Sequence, residues 1–331
     1  MLLRDEMGFS QRIDNNGSFL LRFLYALLLI ASSDIFGVYA VPESTSPNVD
    51  NDELYTPAAS SPASASTEVA SYQQQALLNG NLHYGSEAIE NILPHHMFRN
   101  KNVAVIMETN PAGVPSLIPI ILHFSSTLGP DWPIILLTLQ VNWEMPASPD
   151  FRQLYEARRV IVLFIPPDTT FPDHTSVTVF MVRPWLWQLF APANRMLIFQ
   201  VDSILCSQSP QRVEDFIEWD FIGAPIIKEK GHGYNGGLSI RNPKLFLEIA
   251  LEQEKNPTEL SPEDQWFYGK LLEREAHMPT ADQAKFFAVE TWWHEKPLGY
   301  HQPARWQHAH MPEITEWCPE VKMLDGGQHY F

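Results

Sequence analysis

Four short stretches in the second half of the chain hold the residues best suited to chemistry: 196–206 (MLIFQVDSILC), 219–225 (WDFIGAP), 233–241 (GYNGGLSIR) and 262–267 (PEDQWF). The first is an apolar run of strand length that stops at an acid, Asp202. A carboxylate is thereby delivered to the rim of a sheet, where open α/β folds bind their ligands. One carboxylate, with waters and phosphate oxygens, can hold a divalent cation; the plainer reading is a strand-end acid that caps a turn. In the third stretch Gly236 and Gly237 either let backbone N–H groups approach a ligand closely or make a tight turn before a strand over 238–240. Tyr234 and Asn235 beside them offer hydrogen bonds or stacking to a bound ring, or simply fill that turn. The fourth stretch reads as a helix start, with Ser261 as cap, Pro262 at the first helical position, and Glu263 and Asp264 at the positive end of the dipole.

The elements that must position these residues alternate. Residues 103–107 (VAVIM), 133–139 (PIILLTL), 159–165 (RVIVLFI) and 196–201 are near-continuous apolar strands; 114–128, 151–157 and 176–190 have helical length and pattern, the last broken or started at Pro184. Such alternation predicts an α/β domain with a mostly parallel sheet and helices on both faces. A nucleotide is the commonest guest at the carboxyl edge of such a sheet.

Composition narrows the ligand. The 331 residues carry a formal charge of −17, with 22 basic residues spread thinly and 45% hydrophobic content. That suffices for one sizeable core and leaves no basic stripe for a nucleic-acid backbone. An acidic protein that handles a nucleotide diphosphate needs a metal ion or backbone N–H groups to offset its own repulsion. Only Cys206 and Cys318 are present; two buried free thiols are the preferred reading, a single bridge in an oxidising compartment the alternative.

Four regions are expected: a tail over 1–17, an apolar segment over 18–41, a Pro/Ser/Thr-rich stalk and linker over 42–100, and one folded domain over 101–331. The apolar segment is interrupted by Arg22 and Asp34 and reads either as a signal anchor or as a cleaved signal peptide ending near Val38-Tyr39-Ala40. Either places the chain behind it in the secretory lumen, as a single-pass type II membrane protein of Golgi or ER, or as a secreted one. The stalk is too poor in apolar residues to offset its ordering entropy.

The block from Asn102 to about His301 resembles a fungal glycosyltransferase-like family still filed as a domain of unknown function, itself similar to nucleotide-sugar glycosyltransferases of GT-A type. The resemblance implies a GT-A-like fold and transfer of a hexose from a nucleotide diphosphate sugar to the hydroxyl of a glycan, protein or lipid acceptor. It aligns Gln200-Val201-Asp202 with the Asp-x-Asp pair of those enzymes, so only the second acid is present. Asp202 and a late histidine, His301, then hold Mn²⁺ or Mg²⁺; Glu108 and Thr109, after the first strand, contact the nucleotide; Tyr234, Asn235, Gly236 and Gly237 lie beside the donor. Asp264, or Glu263 beside it, takes the acceptor proton. Two alternatives stay open: a catalytically silent sugar- or partner-binding module with this fold, and a lumenal metal-dependent hydrolase.

Overall fold

The computed structural model describes residues 97–326. The tail, apolar segment and most of the stalk expected at the N-terminus lie outside the described residues. Among the described residues no helix is long and apolar enough to cross a membrane.

The apolar runs form β1 (Asn102–Met107), β2 (Ile134–Thr138), β3 (Val160–Phe164) and β4 (Arg195–Phe199), joined by helices α1 (Leu117–Leu128), α2 (Pro149–Glu156), α3 (His174–Met181) and α4 (Pro184–Phe190). All five residues of β2 are buried, which requires cover on both faces of the sheet and explains the absence of polar alternation in its sequence. Helix α1 buries Leu117, Ile120, Ile121, Phe124 and Leu128, one stripe at helical spacing. Each contributes about 1.5–3 kcal/mol, and Phe124 stacks on Phe199 of β4 at 3.9 Å. The helix expected over 114–128 starts only at Leu117, because Pro111–Gly113 forms a separate 3-10 turn. The helical stretch before Phe190 splits at Pro184, whose ring cannot continue α3.

Past β4 come β5 (Ser203–Leu205), β6 (Phe221–Pro225), β7 (Tyr234–Arg241), α5 (Pro243–Lys255), α6 (Glu263–Leu272), α7 (Ala281–Phe287), β8 (Ala288–Val289), β9 (Gly299–His301), α8 (Pro303–Trp306) and α9 (Met311–Trp317). The main sheet has six strands in the order β3-β2-β1-β4-β7-β6, and β5-β9-β8 form a second, smaller sheet. Strands β1 to β4 run parallel; β7 is antiparallel to both of its neighbours. This is a mixed α/β fold with a mostly parallel sheet.

The order has a functional consequence. The chain leaves β1 toward β2 and β3 on one side, then returns to place β4 on the other, so β1 and β4 flank the switch point where open sheets form a crevice. Glu108 follows β1 and Gln200–Asp202 follow β4, and the register Val105↔Ile198 brings both to the same edge.

The two cysteines are bridged. Cys206, just beyond β5, is joined to Cys318, just beyond α9, with the Cα atoms 4.9 Å apart. This corrects the free-thiol reading: the partners are 112 residues apart, and the 3-10 segment Pro319–Gly326 that follows Cys318 packs on β5, next to Cys206.

Candidate active site

The site is built where the chain crosses from one sheet to the other. It leaves the main sheet at Phe199 and enters the small one at Ser203, so Gln200, Val201 and Asp202 form a three-residue bridge. The bridge is pinned at both ends: Gln200 N–H donates to Gly237 O at 2.9 Å, and the Ser203 hydroxyl donates to the same carbonyl at 2.8 Å.

The antiparallel pairing of β5 with β9 sets Ser203 opposite His301 and thereby brings His301 to Asp202. His301 Nε2 lies 3.3 Å from Asp202 Oδ1 and 3.0 Å from Gln200 Oε1. On the other side of the ring, Nδ1 lies 3.0 Å from Glu290 Oε1. Glu290 is buried and follows β8, whose parallel register with β9 runs Ala288↔Gly299, Val289↔Tyr300 and so continues to Glu290 beside His301. The other Asp202 oxygen, Oδ2, accepts from the Gln302 amide at 2.7 Å; Gln302 itself takes a left-handed backbone, φ 46°.

These contacts set the charges. Burial works against a charged His301, but the Asp202 carboxylate and the hydrogen bonds from Asp202 and Glu290 outweigh it and lift the imidazole to about 10. For Asp202 burial pushes upward, yet the facing imidazole and the Gln302 amide hold the carboxyl below its ordinary value.

Gly236 and Gly237 are not a turn. They lie inside β7 and are both buried. A Cβ on Gly237 would stand 2.3 Å from His301 Nε2 and 2.7 Å from Gln200 Oε1; one on Gly236 would stand 2.4 Å from Arg241 Nη2 and 2.6 Å from Glu263 Oε1. The expectation that their N–H groups face a ligand is also corrected: Gly236 N–H donates to Asp264 Oδ2 at 3.1 Å and Gly237 N–H to Asn235 Oδ1 at 2.7 Å. Their missing side chains make room for the protein's own His301, Gln200, Arg241 and Glu263.

Tyr234 is a further correction. It is 2% exposed, its hydroxyl donates to Pro279 O, and its ring packs edge-on against Phe221 and Tyr268, so it is not available to a ligand. Asn235 is spent locally on Gly237.

Helix α6 supplies the acids. Pro262 is its N-cap and no side chain caps it, so Ser261 does not play the expected part and Pro262 sits one position earlier than expected. Both oxygens of Glu263 accept from the Arg241 guanidinium at 2.9 Å. Arg241 is completely buried beneath the ring faces of Trp187, Phe221 and Phe246 at 5.2–5.7 Å. Glu263 is thus committed to an ion pair, which corrects its place as a second candidate base. Asp264 accepts only backbone N–H groups, from Gly236 and from Gln265 at 2.8 Å. Burial, then the neighbouring Glu263 charge, raises its carboxyl to about 6.

Asp202, His301, Gly237, Gly236 and Asp264 therefore form one continuous chain of contacts. Glu108 stands at the same sheet edge, half-buried, its carboxylate accepting from Asn110 N–H at 2.8 Å and pushed upward by burial. Thr109 accepts from the Asn142 amide through its carbonyl at 2.7 Å. Three residues escaped the sequence reading: Glu290, Gln302 and Arg241. Arg241 closes the GYNGGLSIR stretch and Gln302 adjoins His301, so both were in view without a role; only strand register reveals Glu290.

Among the described residues no group of three or more His, Cys, Asp or Glu side chains is placed to hold a metal ion. A smaller set has the donor chemistry for one. His301 Nε2 lies 3.3 Å from Asp202 Oδ1 and 3.0 Å from the neutral Gln200 Oε1, so a cation that displaced the imidazole's proton would meet all three. Adjacent ligands of an octahedral cation with bonds of about 2.1 Å stand about 3 Å apart.

The fold and site define an α/β protein with an acid–imidazole cluster at the sheet's switch point. A family described as "Protein of unknown function (DUF5672)" matches residues 159–301, the span that holds Asp202, Gly236, Gly237, Asp264 and His301. No curated protein matches the chain. Among solved structures it is similar to the apo-form glycosyltransferase GlyE of Streptococcus pneumoniae TIGR4, at 14% identity and a TM-score of 0.39, over 68% of this chain and 62% of that one. It is also similar to the galactosyltransferase LgtC crystallised with donor and acceptor sugar analogs, at 10% identity and a TM-score of 0.37, over 66% of this chain and 95% of that one. The chain thus spans under two thirds of the GlyE chain that it matches.

Proposed function

We propose that the protein is a glycosyltransferase that moves a hexose from a nucleotide diphosphate sugar to an acceptor hydroxyl. One observation carries this reading: residues from four separate segments, Asp202, Gly237, Asp264 and His301, meet at the carboxyl edge of a parallel sheet, with a raised carboxyl at one end and a cation-sized donor set at the other.

Gln200, Asp202 and His301 would hold Mn²⁺ or Mg²⁺, and such an ion neutralises the charge that grows on a diphosphate leaving group. Glu290 fixes the His301 ring from behind, so that Nε2 faces Asp202 and Gln200. Glu108 and Thr109, at the neighbouring strand end, would contact the nucleotide. As the acceptor oxygen attacks the anomeric carbon and the bond to the diphosphate breaks, Asp264 takes the acceptor's proton; a carboxyl poised near 6 is ionised at neutral pH yet basic enough to do so. The working outcome is inversion. The buried Cys206–Cys318 bridge supports residence in an oxidising compartment such as the secretory lumen.

The test is a thermal-shift comparison of the purified protein with UDP- and GDP-sugars, with and without Mn²⁺. A ligand that binds only the folded state raises the melting temperature. We expect at least one donor to give a metal-dependent rise that Asp202→Ala abolishes. If no donor shifts the transition, the reading is wrong; a shift indifferent to Mn²⁺ would instead favour a silent binding module, in which Gln200 replaces the first acid for good.

A further inference from the structure

A cavity of about 910 Å³ opens beyond β3, between the loop that follows it, α3, α4 and the end of α5. Its lining contains none of Asp202, Gly236, Gly237, Asp264 or His301, so it is separate from the site above. The volume lies within the range of small-molecule sites, roughly 300–1,000 Å³.

Three features of the lining select a ligand. Phe171, Phe180 and Trp185 make an aromatic wall, with Phe180 edge-on to Phe171 at 5.3 Å and 5.8 Å from Trp185. Such faces take the apolar side of a ring. Gln188 also lines the cavity, and its Oε1 is buried without a hydrogen-bond donor. A buried acceptor left in that state is costly, and a ligand hydroxyl would satisfy it. The charges decide between ring ligands: Asp168, Asp173 and Glu254 line the cavity against the single cation Arg183, so a phosphate or nucleotide meets net repulsion.

We propose that this cavity is a second site, one that binds a neutral saccharide through its ring face and a hydroxyl donated to Gln188. Helix α3, which forms one wall, also packs against α6, the helix that carries Asp264. The proposal does not depend on the donor chemistry assigned to the other site.

Saturation-transfer NMR on the purified protein with cellobiose, lactose and maltose tests it, with glucose 1-phosphate as the anionic control. At least one neutral disaccharide should receive saturation. Gln188→Leu should weaken its binding about threefold to tenfold, the value of one hydrogen bond. Phe171→Leu, on the half-buried rim, provides a second variant should Gln188→Leu disturb folding, and it should weaken the same ligand several-fold. Asp202→Ala and Asp264→Asn should leave this binding unchanged. The proposal is overturned if no neutral disaccharide binds, if binding survives both cavity variants unaltered, or if glucose 1-phosphate binds as well as the neutral sugars. Donor binding with Mn²⁺ is read separately, so failure here leaves the proposed activity standing.

Discussion

The Glu290 carboxylate lies 3.0 Å from His301 Nδ1, inside the protein, and fixes which ring nitrogen faces Asp202. A carboxylate behind a ligating imidazole orients the ring and raises its basicity, and its loss typically lowers metal affinity ten- to a hundredfold. Glu290→Ala should therefore weaken Mn²⁺ binding by about that factor, whereas Glu290→Gln, which keeps a partner for Nδ1, should retain most of it. Calorimetric titration with Mn²⁺ distinguishes the two; equal affinities for both variants and wild type would remove Glu290 from the site.

Gly237 and Gly269 predict opposite outcomes for one substitution. A methyl at 237 meets His301 Nε2 and Gln200 Oε1, and His301 is held from behind by Glu290. Overpacking of this kind costs about 1–3 kcal/mol, so Gly237→Ala should lower the melting temperature and abolish the Mn²⁺-dependent shift with donor. Nothing lies within 4 Å of a methyl at 269, inside α6, and Gly269→Ala should stabilise by about 0.5–1 kcal/mol. Two thermal melts decide the contrast.

Asp264 links activity and stability through pH. Its carboxyl is raised from 3.8 to about 6 by burial and then by Glu263, so the folded state favours the protonated form. The stability it contributes is complete below about 3.8 and is lost as pH rises through about 6. Asp264→Asn, permanently neutral, should thus leave urea stability unchanged at pH 3 and raise it at pH 8 by on the order of 2 kcal/mol. Transfer needs the ionised base: wild-type rate should climb with pH through about 6, and the variant should lose about 10²–10⁴-fold above pH 6, the gap narrowing as pH falls and the wild-type carboxyl is protonated. A variant that is no more stable at pH 8 than wild type would contradict the raised carboxyl.

Much of this was legible in the sequence because parallel strands covered on both faces read as unbroken apolar runs; β2 and β3 fall within the predicted stretches, β4 starts one residue before its own, and Asp202 stood out as the acid that ends it. What stayed hidden depends on pairing between distant segments. The resemblance alone joined His301 to Asp202, which meet through β5 and β9; Glu290, which no pattern marked, meets His301 through β8 and β9, strands of two or three residues with little pattern of their own. Tyr234 was misread because its place at the head of an eight-residue strand, rather than in a turn, turns it into the core. The glycines were read as openings for a ligand, when the groups crowding them come from segments up to 64 residues away, as with Gly237 and His301.

Arg241 and Glu263 separate support of the fold from support of the site. The guanidinium is fully buried against three aromatic rings and makes two 2.9 Å bonds to Glu263, which joins the last residue of β7 to the first turn of α6 and so sets Asp264 beside Gly236. Removing one partner of a buried pair strands the other charge, so Arg241→Met should cost about 3–5 kcal/mol. Replacing both, as Arg241→Met with Glu263→Leu, leaves no buried charge and should recover most of that loss in urea unfolding. Activity should not recover with it, because the ion pair that sets the first turn of α6 against β7 is gone and the single Gly236 hydrogen bond then holds Asp264 less firmly. A double variant that regains stability and transferase activity together would show that the pair serves folding alone and that Asp264 is positioned by other contacts.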